Sequence, residues 1–106
     1  MSFEDFLRII YLLRRKDGIG VDNDNIRERL SEEWWAGYIE GLYEGPQDAL
    51  WELQEIYEDW VKDLNIKNFE KFIVKLYSGI TLWHWFRDWN GRTALLVYQF
   101  FINGEI

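Results

Sequence analysis

Large apolar residues in this 106-residue chain recur at intervals of three and four, and nowhere alternate cleanly with polar ones. That spacing lines them along one face of a helix and leaves no period-two segment from which to build a sheet. Gly18 with Gly20, the pair Gly45-Pro46, and the asparagines Asn68 and Asn90 punctuate the pattern as stops and starts. With no internal repeat and no linker, the expected architecture is all-α, a single compact domain of about five helices over residues 1–106.

The first helix is expected over Phe3 to Lys16, with Phe3, Phe6, Leu7, Ile10 and Leu13 on its apolar face. Ser2 and Asp5 have capping-box spacing, and Arg14, Arg15 and Lys16 close the helix where cations suit the macrodipole. Asp22-Asn23-Asp24-Asn25 resembles a calcium loop, but Ile26 stands where the turn glycine belongs and Glu33 falls one position short of the closing carboxylate. These four residues read instead as the cap of a second helix from Ile26 toward Leu42. A third is expected from Gln47 to Leu64, with Leu53, Ile56, Tyr57, Trp60, Val61 and Leu64 on one face and a solvated row of acids opposite. A fourth, capped by Asn68, carries Phe69, Phe72, Ile73, Leu76, Tyr77 and Ile80, and a fifth runs from Asn90 to Ile102.

Composition removes several function classes. Without cysteine there is no disulfide framework, zinc knuckle or thiol nucleophile. A net charge of −7 argues against a nucleic-acid partner, because a phosphate backbone is held by clustered cations. No apolar run approaches the roughly 20 residues that span a bilayer, and Met1 to Asp5 lack the basic start of a signal peptide. A cytoplasmic protein that does not enter the membrane is the expectation.

The segment Trp83-His84-Trp85-Phe86-Arg87-Asp88-Trp89-Asn90-Gly91-Arg92-Thr93-Ala94-Leu95 gathers the only histidine, a carboxylate, an amide, a glycine and an arginine at a helix start. These are the parts of a phosphate site. Main-chain N–H groups at a helix N-terminus favour anions, an arginine clamps phosphate oxygens, a carboxylate holds a divalent cation, and a histidine serves as a base near neutral pH. The segment resembles the signature of the Fic/Doc family, His-x-Phe-x-Asp/Glu-Gly-Asn-Gly/Lys-Arg-x-x-Arg, with His84, Phe86, Asp88, Asn90, Gly91 and Arg92 on its positions. The resemblance covers residues 66–106, and it implies a Fic-like all-α core with the motif loop between the last two helices.

By that resemblance, His84 is the base that deprotonates a Ser, Thr or Tyr hydroxyl of a target protein, and Phe86 anchors the loop in the core. Asp88 coordinates magnesium, while Asn90, the Gly91 amide and Arg92 cradle the phosphates of ATP. The group transferred is AMP or, as in the Doc-like branch, phosphate; that branch reads Asn-Lys-Arg-Thr-Ala-Leu where this chain has Asn90 to Leu95. The chain departs from the signature at Trp85 for proline, Trp89 for glycine and Leu95 for the second arginine. Ala36 to Gly41 resembles the family's inhibitory helix and makes Glu40 the candidate inhibitory residue, with Leu95 in place of the arginine it would pair with.

Between Gly41 and Asn68, where the family inserts its target-aligning flap, no hairpin signal is present. Only 14 residues follow Arg92, so a second copy or a partner chain is expected to complete the core. The competing expectation is a catalytically inactive Fic-like scaffold: an acidic, tryptophan-rich binding protein, such as a phage or mobile-element inhibitor of a host protein.

Overall fold

A computed structural model of the chain describes residues 1–15, 20–32, 46–82, 85–86 and 89–103. The described residues form an all-α fold of five helices: α1 (Phe3–Arg14), α2 (Ile26–Ser31), α3 (Pro46–Lys62), α4 (Ile66–Thr81) and α5 (Asn90–Asn103).

Helix α1 begins with the capping box its sequence predicts. Ser2 Oγ accepts from the Asp5 N–H at 3.1 Å, and Asp5 Oδ2 accepts from the Ser2 N–H at 3.0 Å, so two N–H groups that the helix itself cannot satisfy are paired. Asn23 also donates to Asp5, at 2.8 Å, and these hydrogen bonds to the ionised carboxylate, that from Asn23 foremost, hold its pKa down at about 2. Phe3, Phe6, Leu7, Ile10 and Leu13 are buried as a stripe.

The Asp22–Asn25 turn is closed by hydrogen bonds among its own residues. Asp22 Oδ1 accepts from the N–H groups of Asp24 and Asn25, and Asn25 Oδ1 accepts from that of Asp22. Asn25 occupies the N-cap of α2 as the sequence predicts, but its side chain makes no cap bond to the helix. Ile26 and Leu30 of α2 are fully buried, and Arg27 pairs with Glu4 of α1 at 2.8 Å, a link worth at most about 1 kcal/mol at this exposure. Residues 33–42, expected to continue this helix, lie outside the described residues.

Pro46 opens α3, at the position where its missing N–H leaves no bond unmade. The helix ends at Lys62, two residues before the expected Leu64, so Val61 (40% exposed) and Leu64 (70% exposed) do not reach the core. Asn65, not Asn68, caps α4: its Oδ1 accepts from the Asn68 N–H at 2.8 Å. Asn68 instead turns its own amide back, donating to the Asp59 and Asp63 carbonyls and tying the end of α3 to the start of α4.

The core is aromatic. Phe6 of α1 contacts Tyr57 of α3, Phe72 of α4 and Phe101 of α5 at ring separations of 5.1, 5.7 and 6.0 Å, so one side chain joins four helices. Trp60 stacks on Phe72 at 4.3 Å. Each such pair adds roughly 0.5–1.5 kcal/mol to the burial of its surface. The Tyr57 hydroxyl donates to the Met1 carbonyl, and burial together with the Asp5 and Glu4 charges raises its pKa.

Candidate functional site

The site is built where the loop before α5 meets α1 and α4. Trp85 and Phe86 are each 1% exposed and fix the loop from below. The Trp85 indole lies on the backbone of α4 at Gly79, where a Cβ would sit 2.0 Å from the ring carbon Cζ2; only glycine leaves room for it. Phe86 lies under the side chain of Arg14, whose guanidinium carbon is 4.1 Å from the ring centroid.

Arg14 is the residue whose place in the site the sequence reading missed. It is 5% exposed, and its Nη1 donates at 2.8 Å to Oγ1 of Thr93, itself buried in the first turn of α5. Arg14 therefore does not serve as the exposed macrodipole cation expected at the end of α1. A signal for this exists in the chain: 14 continues the 3, 7, 10 spacing of the buried stripe, so the guanidinium points inward with the apolar side chains.

The entry into α5 is set by Trp89 and Asn90. Trp89 has φ of +53°, the left-handed conformation that glycine adopts freely and that other residues adopt at a cost of roughly 1–2 kcal/mol. Its carbonyl accepts from the Thr93 N–H at 2.8 Å, the first bond of the helix, so the N–H groups of Asn90, Gly91 and Arg92 precede the helical ladder. Asn90 clamps the loop from both sides: Oδ1 accepts from the Phe86 N–H at 3.0 Å and Nδ2 donates to the Phe86 carbonyl at 2.9 Å. With both ends of its amide engaged, Asn90 shapes the loop, and the donors at this helix end that could meet an anion are the main-chain N–H groups and Arg92. Gly91 and Arg92 are exposed, and a Cβ at Gly91 would meet nothing within 4 Å. The Arg92 guanidinium rests 5.1 Å from the centre of the Trp89 ring, which is 56% exposed and lies beside the helix entrance.

Phe86, Asn90, Gly91 and Arg92 are thus brought together, with Arg14 and Thr93 beneath them. His84, Asp88 and Glu40, expected as base, metal ligand and inhibitory residue, lie outside the described residues, as does Trp83. Among the described residues no group of three or more His, Cys, Asp or Glu side chains is placed to hold a metal ion, and no helix is long and apolar enough to cross a membrane. Comparison with protein-family models, curated proteins and solved structures returns no match.

Proposed function

We propose that this chain is a Fic/Doc-like transferase that moves AMP or phosphate from ATP onto a Ser, Thr or Tyr hydroxyl of a cytoplasmic target protein. One observation carries the reading: Trp89, at the signature's glycine position, has a glycine-like backbone that turns the loop into α5 and leaves the first N–H groups of that helix beside an exposed arginine. The residue type departs from the signature, and a left-handed backbone of the kind glycine adopts freely supports the reading at that position.

In the proposed reaction His84 takes the proton of the target hydroxyl, whose oxygen attacks a phosphorus of ATP. Attack at the α-phosphorus breaks its bond to the bridging oxygen and releases pyrophosphate, whereas attack at the γ-phosphorus releases ADP. The Gly91 N–H and Arg92 would bind the transferred group and hold it against the nucleophile. Asn90 and Arg14 would keep that end of α5 in place through Phe86 and Thr93. Magnesium commonly takes a protein carboxylate as ligand together with substrate phosphates. Asp88 would be that ligand, and the ion when bound would neutralise phosphate charge.

The test is incubation with ATP labelled at the α- or γ-phosphate, magnesium and a cell lysate. Label on a target protein, lost in both His84→Ala and Arg92→Ala, is the expected result, and the position of the label that transfers identifies the group. No transfer from either ATP, or equal labelling by His84→Ala, overturns the assignment.

A further inference from the structure

The charge of −7 is distributed unevenly. Helices α4 and α5 carry Lys67, Lys71, Lys75 and Arg92 against Glu70, a net +3, so the rest of the chain holds −10. On α4 the three lysines repeat every fourth residue and form one exposed row. Among the described residues no ion pair engages any of the three. Beside that row α4 presents Val74 and Tyr77, and across a groove of about 410 Å³ α5 presents Leu95 and Tyr98. Val74 is 64% and Leu95 52% exposed, and Ile102 extends the α5 stripe by one further turn. Single exposed apolar residues are ordinary, but several facing one another across a groove beside a cation row form a contiguous patch.

We propose that the α4/α5 groove docks an amphipathic helix of another protein, apolar on the side that enters between Val74/Tyr77 and Leu95/Tyr98 and acidic on the flank that meets Lys67 and Lys71. A groove between two packed helices accepts a third by the same interdigitation that packs the first two. The lysines set the sign of the partner. An isologous pairing of two copies through this face would set lysine row against lysine row. This inference stands independently of the transferase reading, since the groove and the lysine row include neither His84 nor Arg92.

The experiment titrates the full chain into fluorescein-labelled 20-residue helical peptides of two kinds. Both carry leucine on one face; one has glutamate on its flanks and the other lysine. Fluorescence anisotropy should show the acidic peptide binding at least about tenfold more tightly than the basic one, with affinity falling as salt rises from about 50 to 300 mM. Leu95→Glu and Lys71→Glu should each weaken the acidic peptide by about tenfold or more while melting like the parent, as both side chains are exposed. Equal binding of the two peptides, or binding of neither, overturns the proposal. So does a concentration-dependent rise in mass that Leu95→Glu abolishes, which assigns the groove to a second copy, or sedimentation with phosphatidylserine vesicles, which assigns it to a membrane.

Discussion

The indole of Trp85 lies so close to α4 that a single methyl group at Gly79 would occupy the space of its ring, at 2.0 to 2.5 Å from three ring carbons. Trp85 is 1% exposed and immediately precedes Phe86, the residue that both Asn90 and Arg14 hold. Gly79→Ala should therefore destabilise the protein by about 2 kcal/mol or more, although alanine is the better helix former, because overpacking outweighs propensity. Urea denaturation measures this directly. In the double variant Gly79→Ala/Trp85→Phe the smaller ring should recover part of the loss. Strict additivity would mean that the two residues do not meet.

Arg14 and Thr93 join the end of α1 to the start of α5 by a buried, charge-assisted hydrogen bond. Thr93→Val keeps the shape and removes the acceptor, so about 1–3 kcal/mol should be lost. Arg14→Met should cost more, about 3 kcal/mol, since it also removes the guanidinium from the face of Phe86. A double-mutant cycle on the pair should return a coupling of about 1 kcal/mol or more. A coupling near zero would show that the bond contributes nothing to the docking of α1 on α5.

How much of this was legible in the sequence depended on how local each cause is. The capping box of α1, the apolar stripes of α1 and α4 and the start of α5 at Asn90 are set by residues within four positions of one another, and spacing alone reveals them. Asn65 and Asn68 are both good caps, and what separates them is the tie from Asn68 to the Asp59 and Asp63 carbonyls, formed only when α3 and α4 are already packed. Tyr77 and Leu64 keep helical spacing with the core yet lie exposed, because periodicity gives a face and not its neighbour. At the site, the motif residues around Asn90 could be picked out, while the support beneath them could not. Arg14 is far from the loop in sequence, and a basic residue at the end of a helix is ordinarily a solvated cation; Gly79 is near in sequence, but only the folded loop lays the Trp85 ring on it.

Asp5 makes the entry to α1 sensitive to acid. Its folded pKa, about 2, lies below the ordinary value of 3.8, so it favours the folded state above pH 4, and that contribution is lost as the pH falls toward 2. Asp5→Asn cannot titrate. Between pH 5 and 2 the melting temperature of the parent should thus fall more steeply than that of Asp5→Asn. In Asn23→Ala the carboxyl, deprived of its principal donor, should titrate closer to 3.8 by NMR. Parallel melting curves for parent and Asp5→Asn would remove Asp5 from the acid response.

Trp89 combines a backbone suited to glycine with a side chain that holds Arg92. Trp89→Gly relieves a strain of roughly 1–2 kcal/mol, gives back about 0.5–1 kcal/mol in unfolded-chain entropy and loses an exposed cation–π contact of similar size. These terms nearly cancel, so the variant should match the parent stability to within about 1 kcal/mol. Trp89→Val removes the same contact, keeps the left-handed backbone and adds a β-branched side chain that tolerates it poorly, so it should lose about 1–2 kcal/mol. The ordering of the two variants in urea is the critical measurement. Valine equal to or better than glycine would show that the turn into α5 does not require a left-handed residue, and the observation that carries the transferase reading would fall with it.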